Sequence, residues 1–254
     1  MALLFVGVVA HKNFSMTQTD GYFPIFVGKN SENLKKSYIG NLSYTDDGGE
    51  NISYKNPFYS ELTAQYWIYK NIKNVDFKGL VHYRRFFSGK GQNLITKKEI
   101  SEILSFNDVI LPNKVFSKYN VYNTYKLHHN IKDLDGIRKV LNDKYPEYLP
   151  NFDKVMKRHG YHSLNMLIAK KDVFDKYSGW LFDVLFASES IIKSADDSYQ
   201  QRVYGFLSER LLDVWVETNN LSVYELDVTN TEQSLTSKYY ELSKRNVYQL
   251  LFKQ

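Results

Sequence analysis

The stretch LLFVGVVA, residues 3–10, is an unbroken run of apolar side chains that is rich in valine. Strands covered by helices on both faces show such runs, whereas half-exposed strands alternate apolar and polar residues. The run therefore predicts a central strand of a parallel sheet. It lacks a basic segment before it and an A-x-A cleavage site after it, so we do not interpret it as a signal peptide.

Strands and helices alternate along the rest of the chain. Short apolar runs predict further strands at residues 24–28, 79–83, 108–111, 162–169 and 221–226. Apolar residues at helical spacing predict helices at residues 57–72, 131–144, 171–188, 197–217 and 237–252. Such alternation predicts a three-layer α/β/α fold with a mostly parallel central sheet. One domain is expected over residues 1–236, followed by a basic amphipathic helix over residues 237–254.

The composition excludes several classes of protein. The 254 residues are 43% hydrophobic and 24% charged, which is typical of a globular chain and not of a disordered one. Cysteine is absent, which excludes a disulfide scaffold and thiolate catalysis and is consistent with a reducing cytosol. Apolar runs long enough to span a membrane are also absent, so we expect a cytoplasmic protein.

Aromatic content and charge indicate the kind of ligand. The chain contains 21 Tyr and 16 Phe, side chains whose flat faces suit sugars and nucleobases. A net charge of +5 and a pI near 9.0 favour an anionic partner. The cations are dispersed and do not form the basic blocks of a nucleic-acid-binding arm.

Cations and imidazoles follow several predicted strands. His11 and Lys12 follow the first, Lys29 follows the second, and HYRR, residues 82–85, ends the third. Parallel sheets bind ligands beyond the carboxyl ends of their strands. These side chains are thus predicted to line one phosphate-binding crevice, although solvated rim charges would show the same pattern.

The segment DDGGENISYKN, residues 46–56, precedes the first long predicted helix. Adjacent glycines let backbone approach a ligand, and Asn51, Ser53 and Asn56 can bind an anion near a helix N-terminus. A surface turn is the structural alternative. The segment is neither a G-x-G-x-x-G nor a P-loop motif, which disfavours a Rossmann dehydrogenase or a P-loop NTPase.

Charged residues also mark the predicted helix at residues 197–217. Arg210 lies in its apolar stripe and must find a partner, for which the sequence-adjacent Glu209 is a doubtful candidate because it points about 100° away. Asp197 at the helix start is interpreted either as an N-cap or as a general base. Metal sites are not indicated, because the six His residues lack metal-ligand spacing.

Taken together, these segments resemble a bacterial family of capsule and exopolysaccharide glycosyltransferases, long catalogued as a domain of unknown function. The resemblance covers nearly the whole chain and implies a GT-A-like transferase that uses a nucleotide sugar. The matching motifs are VGVVAHK (6–12), YFPIFVG (22–28), DDGGENISYKNPFYSELTAQYWIYKN (46–71), GLVHYRRFF (79–87), HSLNMLIAKKDVFDKY (162–177) and QRVYGFLSERLLDVW (201–215).

One departure from the GT-A pattern concerns the leaving group. Most GT-A enzymes hold the departing diphosphate with a divalent ion on an Asp-x-Asp, and here His82-Tyr83-Arg84-Arg85 occupies that place. We hypothesise that guanidinium or imidazole groups replace the metal, with Asp46-Asp47 as a reserve site for Mn²⁺ or Mg²⁺. Alternation along a strand would place His82 and Arg84 on one face and Tyr83 and Arg85 on the other.

The resemblance also assigns roles to individual residues. The catalytic base is expected at Asp197, with Asp196 and Glu209 as alternatives. His162 and Asn165 are candidates for contact with the acceptor or the transferred sugar. UDP-galactofuranose is one candidate donor. Nucleotide contacts are expected from Ala10, His11, Lys12, Asp47, Gly49, Asn51 and Ser53, with His82, Tyr83, Arg84 and Arg85 completing the donor site.

The acceptor and the competing function classes complete the expectations. Acceptors in capsule assembly are typically lipid-linked, and the basic aromatic helix at residues 237–252 would suit an anionic membrane surface, although packing against the domain or a second subunit is an equal alternative. A non-catalytic carbohydrate- or nucleotide-binding module is the main alternative to an enzyme. A nucleic-acid-binding protein is least favoured.

Overall fold

The structure, a computed structural model, describes residues 2–16, 19–40, 42–92, 94–192, 197–232 and 247–252. Its strands are β1 Leu4–Ala10, β2 Tyr22–Phe26, β3 Tyr44–Thr45, β4 Phe77–His82, β5 Arg85–Phe87, β6 Val109–Pro112, β7 Val115–Phe116, β8 Gly160–Tyr161, β9 Leu167–Lys170, β10 Val223–Leu226 and β11 Val228–Asn230. Its helices are α1 Ser31–Ser37, α2 Asn56–Tyr59, α3 Leu62–Asn71, α4 Lys97–Leu104, α5 Val121–His128, α6 Ile131–Lys144, α7 Leu149–Lys157, α8 Lys171–Ser188 and α9 Val203–Thr218.

The first apolar run forms the central strand β1, as predicted. Every residue of β1 is buried, and β1 pairs in parallel with β2 and with β4. Phe5 and Val9 pack into a core formed with α3, α8 and α9, whereas Val6 and Val8 pack into a second core formed with α4. Helices therefore cover both faces of the sheet, and the three-layer α/β/α class is confirmed.

The sheet is mostly parallel, with β9 and the short hairpin strand β5 reversed. Its order is β10-β6-β9-β4-β1-β2-β3, and β9 runs antiparallel to both β4 and β6. The predicted strand at residues 162–169 is wrong in its first half, because β9 begins only at Leu167. Leu164 and Asn165 have positive φ angles of 78° and 50°, which extended strands do not contain.

The predicted helices differ in how well they match. The predictions for residues 131–144 and 171–188 agree with α6 and α8 at both ends. The helix predicted at residues 57–72 is divided into α2 and α3 by Ser60, whose φ is 50°. The helix predicted from residue 197 begins as a 3₁₀ turn at Gln200–Arg202 and becomes α-helical only at Val203.

The C-terminal helix predicted at residues 237–252 lies largely outside the described residues. Within residues 247–252, which the structure describes, the backbone is helical up to Phe252, whose ring stacks on His159 at 4.3 Å. The boundary between a domain at residues 1–236 and a helix at 237–254 stays a prediction. No helix in the described ranges combines the length and apolar character needed to cross a bilayer.

Candidate functional site

A cavity of about 550 Å³ opens beyond the carboxyl ends of β1 and β4, where the strand-end rule predicts a ligand site. Its volume is in the range of small-molecule sites. The ends of β1 and β4, the turn after β4, the start of α2, the Ser60 break and α9 all contribute lining residues. The lining includes His11, Asn56, Ser60, Glu61, His82, Tyr83, Arg84, Arg85, Leu164, Gln201, Arg202, Gly205, Phe206 and Glu209.

The HYRR segment is a hairpin, not a continuing strand. Tyr83 and Arg84 form the turn between β4 and β5, and His82 pairs with Arg85 across that turn. The predicted alternation of faces is therefore wrong, because the chain reverses direction at Tyr83. All four side chains line the cavity as a result.

The two arginines of the hairpin differ in their partners. The guanidinium of Arg84 donates to Glu232 over 3.1 Å, and Glu232 also pairs with Lys12 at 2.9 Å. Arg85 has no ion-pair partner among the residues described, and burial together with the charge of Arg84 lowers its pKa. Arg85 thus brings to the cavity wall a positive charge with no direct ion pair among these residues, although Glu209 and Glu232 act on it from a distance.

The two imidazoles of the cavity are held in the neutral form. Burial and the neighbouring cations lower the pKa of His11, and burial lowers the pKa of His82 even though Glu61 acts against it. The Nε2–H of His82 donates to the carbonyl of Leu164 over 2.7 Å. Anion binding by charge at neutral pH therefore falls to the guanidinium groups.

Leu164 and Asn165 form a left-handed turn that reaches three cavity side chains. Besides accepting from His82, Leu164 donates its backbone N–H to Glu209 over 2.9 Å. The Asn165 amide donates to Glu61 over 2.6 Å and to the carbonyl of Gly205 over 2.9 Å. A left-handed conformation costs about 1–2 kcal/mol for a residue such as leucine, so the surrounding contacts must enforce it.

Glu209 is the predicted catalytic carboxylate that faces the cavity. Burial and the nearby Glu61 raise its pKa, while Arg210 opposes that shift. The Arg210 guanidinium donates to Glu209 over 2.7 Å and lies over the ring of Tyr161 at 4.8 Å. Glu209 is therefore a partner of Arg210, contrary to the prediction from the 100° spacing, because long side chains of adjacent residues can bend toward each other.

Asp197 does not line the cavity. Its carboxylate accepts from the backbone N–H groups of Tyr199 over 3.3 Å and Gln200 over 3.2 Å, and it is exposed. This is the N-cap arrangement that the sequence left open as an alternative. Asp196 lies outside the described residues.

The predicted donor loop at residues 46–56 bonds mainly to itself and to α3. The amide of Asn51 donates to the carbonyls of Asp47 over 2.8 Å and Gly49 over 3.0 Å, and Ser53 donates to Asn51 over 3.0 Å. The Trp67 indole holds the carbonyl of Gly48 over 2.8 Å. The cavity lining includes none of Asp47, Gly49, Asn51 and Ser53, nor Ala10 and Lys12 at the first strand end.

The reserve metal site is not a pair of converging carboxylates. Asp46 is 1% exposed and neither of its carboxylate oxygens has a hydrogen-bond partner among the described residues, whereas the next residue, Asp47, is exposed. Burial and the charge of Asp47 raise the pKa of Asp46 to about 6. The described residues contain no group of three or more His, Asp and Glu side chains placed to hold a metal ion.

His162 and Asn165 lie behind the cavity wall. His162 is 2% exposed, and its ring nitrogens lie against Asp213 and, at 3.2 Å, Glu225. Burial alone would lower its pKa, but these carboxylates outweigh it and the pKa is raised. Asn165 does not line the cavity and reaches it through Glu61 and the carbonyl of Gly205, so direct sugar contact by either residue is not supported by their positions.

Several cavity residues on α9 and its entry turn were missed by the sequence reasoning. Arg202 and Phe206 line the cavity beside Glu209, and the guanidinium of Arg202 lies 5.4 Å from the Phe206 ring centre. A signal existed, since positions 202, 206 and 209 are spaced i, i+4 and i+7 and share one helix face. The left-handed turn at Leu164 had no such signal.

A mostly parallel sheet between helix layers, with a cationic cavity at its strand ends, defines an α/β protein of the GT-A-like class. The chain belongs to DUF4422, a domain of unknown function, whose family model matches residues 6–220. No curated protein matches it.

One solved structure supports the same class. The apo structure of WbbM, a bifunctional glycosyltransferase, matches with a TM-score of 0.80 and 27% identity over 91% of this chain. The match covers 46% of WbbM, so this chain corresponds to less than half of that protein.

More distant structures also match. They are 4-diphosphocytidyl-2C-methyl-D-erythritol synthase from Anaerococcus prevotii (12% identity, 97% of this chain and 96% of that chain, TM-score 0.37) and the mannosyltransferase Ktr4p from S. cerevisiae (10% identity, 90% and 70%, TM-score 0.37). Scores this low do not establish a shared fold.

Proposed function

We propose that this chain is a glycosyltransferase that binds a nucleotide sugar in the cavity between the β4–β5 hairpin and α9. The observation that carries the proposal is the guanidinium of Arg85, which forms no ion pair with any residue that the structure describes and lines the same cavity as the carboxylate of Glu209. The similarity to WbbM over most of this chain supports the reaction class. A UDP-sugar is the proposed donor, with UDP-galactofuranose as one candidate.

The cationic wall would stabilise the leaving group. In glycosyl transfer the bond between the anomeric carbon and the phosphate oxygen breaks, and its electron pair stays on the nucleoside diphosphate. Arg85 is free to donate to that diphosphate, and a guanidinium suits bidentate contact with phosphate oxygens. Arg84 can join it once Glu232 is displaced.

The acidic wall would activate the acceptor. A new bond forms between the acceptor oxygen and the anomeric carbon, and the hydroxyl proton passes to a base. Glu209 is our choice because it faces the cavity and burial raises its pKa, whereas Asp197 caps the turn before α9. Phe206 and Arg202 offer an aromatic and cationic surface next to Glu209 for the acceptor saccharide.

We further propose a lipid-linked acceptor of capsular or exopolysaccharide assembly, reached at the inner face of the plasma membrane. Leu250 and Leu251 support this, being 86% and 66% exposed on the C-terminal helical segment. Flotation with anionic liposomes tests it in the full chain. Leu250→Glu together with Leu251→Glu should abolish flotation, and unchanged flotation of this variant rejects docking through this segment.

The donor test measures UDP binding and UDP release from a panel of UDP-sugars, with saccharide acceptors and with either EDTA or Mn²⁺. We expect UDP to bind and at least one UDP-sugar to be turned over. Binding without turnover on any acceptor would favour a non-catalytic module. Activity abolished by EDTA and restored by Mn²⁺ would reject the metal-free form of the proposal.

A further inference from the structure

The turn between β8 and β9 contacts three acid–base side chains of the cavity, His82, Glu61 and Glu209. Leu164 uses both of its backbone polar groups on side chains from other elements: its carbonyl accepts from His82 of β4, and its N–H donates to Glu209 of α9. These bonds measure 2.7 and 2.9 Å. One residue thereby fixes two cavity groups that are far apart in sequence.

Asn165 extends this arrangement to a third group. Its amide nitrogen donates to Glu61, at the start of α3, and to the carbonyl of Gly205 in α9. Its amide oxygen accepts from the hydroxyl of Ser208 over 2.8 Å. Asn165 is 4% exposed, and its contacts tie Glu61 to the helix that carries Glu209.

We propose that the left-handed pair Leu164–Asn165 is a positioning element that holds His82, Glu61 and Glu209 in one preassembled acid–base group. The inference rests on the proposed function and deepens it by naming what orients the reacting groups. Leu164 and Asn165 touch the cavity side chains and act through them, so they are positioning residues and not catalytic ones.

The tautomer of His82 follows from the same contact. Because Nε2 carries the proton donated to Leu164, the neutral ring has its lone pair on Nδ1. Nδ1 has no hydrogen-bond partner in the described part of the chain. Because His82 lines the cavity, this nitrogen is the ring atom left to accept a proton there, which suits a sugar or acceptor hydroxyl and not a phosphate.

The backbone conformation argues for a selected arrangement. An ordinary turn between two strands would place glycine or asparagine at positions with positive φ. Here Leu164, with φ 78°, occupies one of them. The conformation is the one that points the N–H of Leu164 at Glu209 and its carbonyl at His82, and function-linked strain of this kind clusters at active sites.

The first test is Asn165→Gly in the full chain, since glycine keeps the left-handed backbone and removes the amide. We expect kcat at pH 7 to fall at least about tenfold while the affinity for UDP changes by less than about threefold. Without the Asn165 amide, Glu61 is no longer held beside the helix that carries Glu209. The repulsion from Glu61 that raises the pKa of Glu209 then weakens, so the acid limb of the kcat profile should move to lower pH. The charged side chains facing this group are Arg84, Arg85 and Arg210.

A matched control separates positioning from general destabilisation. Asn220 also has positive φ, at 52°, and lies exposed after α9, so Asn220→Gly makes the same chemical change away from the cavity. The Asn220→Gly variant should leave both kcat and the acid limb of the kcat–pH profile unchanged. If Asn165→Gly lowers the maximal kcat but leaves the acid limb of the kcat–pH profile unshifted, the role of Asn165 is merely structural and the proposal is overturned.

The second test does not depend on turnover. Nitrogen chemical shifts of the His82 ring at pH 7 should report a neutral ring protonated at Nε2. An Nδ1–H tautomer or an imidazolium would overturn the proposal even in an active enzyme. If the wild-type chain shows the expected tautomer but turns over no UDP-sugar, the proposed function fails and the positioning geometry stands.

Discussion

Arg85 stands opposite His82 across the two-residue turn that joins β4 to β5, and both side chains line the same cavity. Residues opposed in an antiparallel pair project to the same side of the sheet. The hairpin therefore sets a guanidinium that has no ion pair within the described part of the chain beside a neutral imidazole. The two side chains differ in chemistry, because Arg85 carries a positive charge and His82 carries a proton-accepting nitrogen.

Removing the Arg85 charge should weaken diphosphate binding. We expect Arg85→Gln to raise the Kd for UDP by about 10- to 100-fold, because charge-assisted contacts to phosphate are lost. The Kd for uridine should stay the same. Arg84→Gln should have a smaller effect, since Glu232 already neutralises Arg84. Isothermal titration calorimetry measures these constants.

Arg138→Gln is the control for that series, as Arg138 forms a surface pair with Asp153 at 2.9 Å, remote from the cavity lining. Equal losses of UDP and uridine affinity in Arg85→Gln would contradict the assignment of Arg85 to the diphosphate.

Glu232 neutralises two cations that the proposed diphosphate site would use. Its carboxylate pairs with Lys12 at 2.9 Å and with Arg84 at 3.1 Å. Glu232→Gln should lower the Kd for UDP by about three- to tenfold at low ionic strength, and added salt should shrink the gain. Glu102→Gln, which makes the same charge change on α4, should not alter UDP binding. Weaker UDP binding by Glu232→Gln would show that its carboxylate helps to build the site.

Glu209 should control the chemical step and not donor binding. Glu209→Gln is expected to lower kcat by about 10²- to 10⁴-fold with little change in the Kd for UDP. Because its pKa is raised, kcat should fall on the acid side at a pH above that of an ordinary glutamate, as protonation removes the base. Asp197→Asn should retain activity, since Asp197 caps a turn outside the cavity. A reversed ranking of these two variants in UDP-release assays would return the base to Asp197.

The fold was predictable where one local signal dominated. The helix at residues 131–144 is bounded by an Asn130 cap and has one apolar face, and the prediction matches α6 at both ends. The prediction of one helix at residues 57–72 is wrong because Ser60 takes a positive φ inside an otherwise helical pattern. Helix propensity and apolar spacing do not predict such a break, because contacts with the rest of the fold impose it.

The site was predictable only in part, for a related reason. The strand-end rule identified His11 and the HYRR segment, which all line the cavity. The rule does not predict that the Asn51 amide donates to a backbone carbonyl of its own loop. The role of Leu164 depends on its left-handed backbone conformation, which lets it contact side chains from distant elements. Nothing in the residue pattern around this leucine indicates that conformation.

Asp46 should make stability depend on pH. Its pKa is about 6 in the folded chain and near 3.8 in the unfolded one, so stability falls as pH rises from about 4 to 6 and stays low above that. Asp46→Asn removes this penalty and should stabilise the fold by about 1–3 kcal/mol at pH 7.5, with little effect at pH 4. Chemical denaturation at both pH values measures it, with Asp47→Asn as the exposed control. Destabilisation by Asp46→Asn at pH 7.5 would mean that the carboxylate is compensated by a cation.

The buried pair of Lys78 and Asp175 should show an asymmetric response to mutation. Lys78 is fully buried in β4, and its ammonium donates to Asp175 of α8 over 2.5 Å and to the carbonyl of Ile68 over 3.4 Å. Asp175→Asn leaves that ammonium without its counter-charge and should cost about 3–5 kcal/mol, whereas Lys78→Met exchanges it for an apolar side chain of similar length and should cost less. The double variant should be more stable than Asp175→Asn alone, because the stranded charge is gone. Urea denaturation of the four proteins gives the coupling energy, and additive losses would show that the two side chains do not act as a pair.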